Sequence, residues 1–375
     1  MSETPYSTPY PDTNASPKED AGQGGRMPQE GWREFAPYLK AQARGPANLG
    51  ELGSDLSEAA MDLILRGVAT PAQIAGFLLV GRARTETSRE LAAYARAMRN
   101  FVREIEPPPG APVVTVAGSF DGKIRTFNVG VAASLAAAAA GGRILMLGGE
   151  GVPPKFGRTA FDIIRGFEMP VPETLDEAEG SLGEQGFTAI SPKQYLPELH
   201  GLLQLRREMV RRTALNVVEK MVTPVPGSPI MIGVTHRPFL ETIPKALTAL
   251  GIDRALVYQA IEGSDEAVLD GNSSLVLVRD GMREEFRVDP QRLGLSRATR
   301  AHIPWNGPED EARRLGGALD GEEGPVRDLI LYNAALRLWM GDDGASLEEH
   351  LRNARRTMES GLASNASRGA VPAVR

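Results

Sequence analysis

An α/β protein, with a mainly parallel sheet flanked by helices and an all-helical domain in front of it, is the fold class the sequence predicts. Three observations point to it. From Trp32 to about Arg103 the apolar spacing is helical, broken only by turn-length interruptions. The proline-rich EPPPGAP, Glu106 to Pro112, cannot continue a helix and reads as a linker. Beyond it the short apolar runs VVTVA, RILML, FTAI, IMIGV, ALVY and SLVLV alternate with helix-length segments, the pattern of parallel strands covered on both faces.

Taken in order, residues 1–30 are rich in Pro, Ser, Thr, Gly and Asp, have almost nothing to bury, and are expected to be a disordered tail. Residues 31–105 form the helical domain. Within it, Thr70-Pro71-Ala72-Gln73 and Thr87-Ser88-Arg89-Glu90 are capping boxes that write two helix starts, and Gly67 is a C′ stop. Residues 111–364 form the α/β domain. Near its end LVLV and EEFRV flank Arg279-Asp280-Gly281-Met282, whose Asp-Gly predicts a hairpin and an antiparallel last strand at the sheet edge. Helices follow at roughly 308–320, 325–340 and 346–361, packing on either domain, with 365–375 expected as a flexible tail.

Composition narrows the function classes. A chain of 375 residues with 42% hydrophobic content can bury one large or two moderate cores. Its 42 Lys+Arg against 48 Asp+Glu give a net charge of −6, which opposes diffuse attraction to nucleic acid or an anionic membrane. Without cysteine there is neither a disulfide nor a thiolate metal site, and the four histidines have no zinc spacing. No apolar leader opens the chain, and the longest apolar run, Val131 to Ala140, is too short to span a bilayer. A cytoplasmic protein is expected.

Candidate site residues lie where the strands end. In VTVAGSFDGKIRTFNVGVAASLAAAAAGG, Gly118 and Gly122 allow close backbone approach after a strand, with Ser119 between them. Thr126 and Asn128 could cap the following helix, and its alanines let it lie close to the sheet. A second loop, LGGEGVPPKFG, brings Gly148, Gly149 and Lys155 toward the same crevice. Such loops hold phosphates, and they are also ordinary strand-to-helix turns. Asp265-Glu266 are adjacent carboxylates fit for Mg²⁺ on a diphosphate, or for a solvated turn. Arg206, Arg207, Arg211 and Arg212 lie in LQLRREMVRRTALN, predicted as one helix on which 207 and 211 share a face. They suit an anion, or a charged face paired with Glu208.

From about Trp32 to Ala363 the chain resembles the anthranilate phosphoribosyltransferase family, glycosyltransferase family 3. Its most specific stretch is the helical EAAMDLILRGVATPAQIAGFLLVGRARTETSRELAAYARAMR. The other landmarks are TFN at 126–128, RRE at 206–208, RTALN at 212–216, SDE at 264–266 and EGPVRDLILYNAA at 323–335. The resemblance implies a homodimer formed through the helical domain, Mg²⁺ on Asp265 and Glu266, the acceptor carboxylate on Arg206, and phosphoribosyl diphosphate on the two loops. It departs from the family where the chemistry sits. Gly118-Ser119-Phe120-Asp121-Gly122 stands for G-T-G-G-D, Gly130 and Val131 for a Ser and a Thr, and Met146-Leu147-Gly148-Gly149-Glu150 for K-H-G-N-R. Lys155, Arg125 and Lys123 are the cations available to compensate. Two functions follow: pentosyl or phosphoribosyl transfer with an altered or weakened donor site, or, as in a divergent branch associated with nucleic acid, a catalytically lapsed protein that binds it through Arg206, Arg207, Arg211, Arg212, Lys220 and Arg125. The acidic net charge and the lack of interleaved aromatics count against the second.

Overall fold

The computed structural model describes residues 31–43 and 50–367; the tail expected at 1–30 lies outside them. Four helices open the described chain: α1 (Gly31–Gln42), α2 (Ser54–Leu65), α3 (Pro71–Arg84) and α4 (Ser88–Arg99). Both predicted capping boxes are formed, with Thr70 accepting from the Gln73 amide and Thr87 from the Glu90 amide. Gly67 follows α2 with φ of 72°, a value that favours a residue without a side chain.

The α/β domain runs β1 (Val113–Ala117), α5 (Gly130–Ala139), β2 (Arg143–Leu147), α6 (Ala160–Gly166), α7 (Leu175–Gln185) and β3 (Phe187–Ile190). Four short helices follow: α8 (Pro192–Tyr195), α9 (Pro197–His200), α10 (Leu203–Met209) and α11 (Leu215–Val218). Then come β4 (Ile230–Val234), α12 (Phe239–Ala249), β5 (Arg254–Gln259), β6 (Ser274–Arg279) and β7 (Met282–Arg287). The chain closes with α13 (Pro308–Leu319), α14 (Pro325–Gly341), α15 (Leu347–Glu359) and α16 (Leu362–Ser367). All six predicted apolar runs are strands. The seven-stranded sheet has the order β3-β2-β1-β4-β5-β6-β7, with β1 to β5 parallel. Not only β7 but also β6 runs antiparallel to its neighbour, and Asp280 and Gly281 turn the hairpin with φ of 50° and 76°, as a twist-matched two-residue turn requires.

Alternation along β1 divides the core. Val114 and Val116 face the alanines of α5 and the long α14, whereas Val113 and Ala117 share the opposite face with α4 and α12. The helical domain has no separate core: Phe35, Phe77 and Tyr94 belong to the same apolar cluster as Ile230, Ile232 and Val257 of the sheet. Arg99 tightens this junction by donating to the Leu250 carbonyl at 3.0 Å. The helical domain therefore packs on the sheet face that also carries α12.

Two sequence expectations change. The helix carrying the arginines stops at Met209, because Val210 turns left-handed (φ 55°), so Arg211 and Arg212 leave on a loop. The expected tail at 365–375 begins inside α16, and its residues beyond 367 lie outside those described.

Gly233, in the middle of β4, lies against the backbone of Ser264, and a Cβ there would collide with the Ser264 carbonyl oxygen. Gly233→Ala should therefore destabilise the protein by about 3 kcal/mol, the upper range of overpacking. Urea unfolding reads this as a lowered midpoint at unchanged slope.

Candidate functional site

The site is built from the segments that leave β1 and β5. After β1 the chain forms a loop, residues 118–129, that leads into α5 and leaves the amides of Ile124, Arg125, Thr126, Asn128 and Val129 without backbone partners. After β5 a tight turn at Ile261–Gly263 brings in Glu262, Asp265 and Glu266. Consecutive amides free of backbone partners form an anion cradle.

Carboxylates of the chain itself fill that cradle. The amides of Ile124, Arg125 and Thr126 donate to Glu262 at 3.2, 3.1 and 2.9 Å, joined by the Thr126 hydroxyl at 2.9 Å. The amides of Val129 and Gly130, the first of α5, donate to Glu266 at 2.6 and 3.2 Å. The Asn128 amide donates to Glu311 of α13 at 2.9 Å, and Arg158 holds that carboxylate at 3.0 and 2.7 Å. The expectation that Thr126 and Asn128 cap α5 is thus corrected. Thr126 serves Glu262, the Asn128 side chain donates to the Arg158 carbonyl, and Glu266 supplies the cap from 136 residues away in sequence.

Electrostatics follow from these partners. Burial works to raise the Glu262 pKa, but the hydrogen bonds from Thr126 and Ile124 and the nearby Lys155 charge outweigh it, so the carboxyl lies below the usual range. Burial raises that of Glu311. Asp265 is pushed up to about 6, by burial first and by the neighbouring Glu266 carboxylate second. Arg337 of α14 donates to Asp265 at 2.8 Å, and the ammonium of Lys123 sits 2.6 Å from Glu266 and 2.7 Å from the Phe127 carbonyl.

The fit of Mg²⁺ follows from the same contacts. Asp265 and Glu266 already hold cationic partners, and among the described residues no three His, Cys, Asp or Glu side chains converge as a metal site. As they stand, the two carboxylates do not fit a divalent ion.

The remaining predicted residues take structural partners. Gly118 packs so closely on the Leu147 carbonyl that a Cβ would lie 2.7 Å from its oxygen. The Ser119 hydroxyl reaches Asp121 at 3.1 Å, and Gly122 turns the loop with φ of 74°. Lys155 lies 3.4 Å from Asp121, which also holds Arg212, and burial lowers the Lys155 pKa. The second loop is zipped to the first, the Lys123 and Arg158 amides donating to each other's carbonyls at 2.8 and 2.9 Å. The Gly148 amide is used by the Ile190 carbonyl, and Gly149 (φ 144°) accepts from Thr159 through its own carbonyl. Gly148 and Glu150 line a cleft of their own with Lys193, His200 and Arg207. The arginines disperse. Arg206 is 3% exposed and grips Glu219 bidentately at 2.7 and 2.9 Å, Arg207 stacks on Phe156, and Arg211 is exposed.

The crevice between α3 and the strand ends, about 830 Å³ with its open mouth, is lined by Phe120, Arg212, Asn216, Lys220, His236 and Phe239. Lys220 donates to the Gly233 and Gly263 carbonyls at 3.0 and 2.6 Å, and burial draws its pKa down to about 8. Sequence reasoning missed Glu262, Glu311, Glu219 and Arg337. None stands at a motif spacing, and only folding brings them to the loop amides or the arginine.

A helical bundle seated on a mainly parallel sheet, with a glycine-loop cradle and a crevice at the strand ends, is the build of a glycosyl-group transferase. The chain belongs to the glycosyl transferase family: residues 36–102 match the family's helical bundle domain and residues 116–364 its α/β domain. It is 31% identical to the anthranilate phosphoribosyltransferase of Caulobacter vibrioides over 90% of this chain and 97% of that protein. It is 31% identical to that of Symbiobacterium thermophilum over 87% and 94%. The anthranilate phosphoribosyltransferase structure from Thermus thermophilus superposes with a TM-score of 0.76 at 26% identity, over 90% of this chain and 97% of that one. That of Saccharomyces cerevisiae in complex with PRPP and Mg shares the fold, with a TM-score of 0.75 at 19% identity, over 90% and 97%.

A buried bidentate pair makes a sharp prediction. Arg206→Ala alone or Glu219→Ala alone should cost about 3–5 kcal/mol by stranding the partner's charge, whereas Arg206→Met with Glu219→Leu should recover most of it. Denaturant unfolding of the three variants measures this.

Proposed function

We propose that this protein transfers a pentosyl or phosphoribosyl group and that its donor site is altered, weakening use of a free diphosphate leaving group. The single observation that carries the reading is the cradle of amides at residues 124–130, kept as a backbone shape and filled by Glu262 and Glu266. A phosphate entering it must displace a carboxylate already bound by charge-assisted hydrogen bonds. Family membership supports transfer chemistry, and the relatives' complexes with PRPP and Mg and with 4-fluoroanthranilate support a phosphorylated donor and a small aromatic acceptor as the class to try first.

In this reading the ligand occupies the crevice between α3 and the strand ends. Phe120 and Phe239 offer apolar walls, while Lys220 and Arg212 offer positive charge to a carboxylate or phosphate. Displacement at C1 of the sugar builds positive charge on the ring and negative charge on the leaving group, so positioning and charge stabilisation dominate. Arg206 would contribute to acceptor binding only after release from Glu219, and Mg²⁺ would reach Asp265 and Glu266 only after displacing Lys123 and Arg337.

Two outcomes are expected. With anthranilate, phosphoribosyl diphosphate and Mg²⁺, fluorescence-monitored turnover should fall far below about one per second, since each missing donor of this type costs about 10²–10³ in rate. Turnover near that value would overturn the weakened donor site. The helical domain should also mediate a homodimer, because Trp32, Leu56 and Leu79 on it remain 49%, 47% and 37% exposed. Light scattering should give about twice the 40.3 kDa chain mass; a monomer at micromolar concentration would contradict it.

A further inference from the structure

Asp265 and Glu266 have the residue types of a divalent-cation site, yet each is already neutralised by a cation covalently part of the chain. Lys123 Nζ lies 2.6 Å from Glu266 Oε2, and both side chains are fully buried. Arg337 Nη2 lies 2.8 Å from Asp265 Oδ2, with the Arg337 side chain fully buried as well. Neither cation is a passing contact. Lys123 is pinned by the Phe127 carbonyl at 2.7 Å, and Arg337 by the Ser134 hydroxyl and the Asn333 carbonyl, each at 3.0 Å. The other Glu266 oxygen is taken by the Val129 and Gly130 amides, and the Ser264 hydroxyl donates to the oxygen shared with Lys123. Gly130 completes the arrangement, because a Cβ there would collide with the Asp265 carboxylate.

Charge bookkeeping decides what this cluster can accept. Two carboxylates facing an ammonium and a guanidinium sum to zero. A divalent ion entering would leave the buried cluster two charges positive, or would strand Lys123 and Arg337 without partners in the interior, at a severe desolvation penalty. Mg²⁺ also demands near-octahedral oxygen ligation with several retained waters, which spent carboxylate oxygens cannot provide. We propose that Lys123 and Arg337 stand in place of a divalent cation, so that the Asp265–Glu266 cluster is a metal-independent electrostatic centre. The ion pairs carry this proposal independently of the transfer reading, and a protein with no transferase activity can still pass or fail its test.

The probe is Mn²⁺ alone, followed by its electron-spin resonance signal and by thermal unfolding of the full chain. Wild type should leave Mn²⁺ free and melt at the same temperature with or without about 10 mM Mn²⁺ or Mg²⁺, a concentration at which a site of 0.1 mM Kd would produce a clear upward shift. Lys123→Met should melt lower and gain Mn²⁺, which raises its melting temperature. Lys123→Met with Glu266→Gln, which removes both charges, should fold and ignore the metal. Mn²⁺ bound by wild type and lost in Glu266→Gln overturns the proposal, as does a folded Lys123→Met that gains no Mn²⁺. Should Lys123→Met fail to fold even in Mn²⁺, wild type against Glu266→Gln decides alone.

Discussion

Glu266 accepts the first free amides of α5 while holding the ammonium of Lys123, and this one carboxylate ties three parts of the site together. It caps a helix whose own sequence supplies no capping side chain, it fixes a lysine from the preceding loop, and it anchors the turn after β5. Glu262 does the same for the three amides just upstream, and Glu311 for the Asn128 amide. A loop shaped to meet an anion is thus satisfied from within. The physical requirement is general: buried amides must find acceptors, and here they find carboxylates.

That requirement explains why the departures from the family pattern lie together. Gly130, in place of a side chain, leaves room for Asp265 to lean toward Arg337. Asp121 in the first loop pairs with Lys155 and with Arg212, which lines the crevice. Arg206 is spent on Glu219 in the same manner. Arg206, Arg212 and Lys155 thus each have a carboxylate partner within the chain. Lys220, which lines the crevice with Arg212, is held by the Gly233 and Gly263 carbonyls.

The architecture was legible because periodicity, caps and turn chemistry are local. The Thr70 and Thr87 boxes, the Asp280-Gly281 hairpin and all six apolar runs declare themselves within a few residues. The arginine helix was misread because nothing before Val210 signals its left-handed turn; a β-branched residue is a poor candidate for that conformation. The site was legible as a location and not as a set of contacts. Asp265 and Glu266 stand beside the cradle, as the resemblance implies, but their partners Lys123 and Arg337 lie well over fifty positions away on other elements, where spacing carries no information. Glu262 stands three residues before Asp265 in the same turn and still gave no signal, since an acidic residue in a glycine turn is ordinary.

Titration calorimetry with inorganic diphosphate, in magnesium-free buffer, on wild type and on Glu262→Ala reads the occupied cradle most directly. Removing that carboxylate frees three adjacent amides at a partly exposed position without unpairing the buried Lys123–Glu266 contact. Diphosphate should bind wild type weakly and Glu262→Ala at least about tenfold more tightly, a gain of about 1.4 kcal/mol. Tight binding to wild type, with no gain on removing Glu262, would contradict the picture of a cradle already filled by the chain.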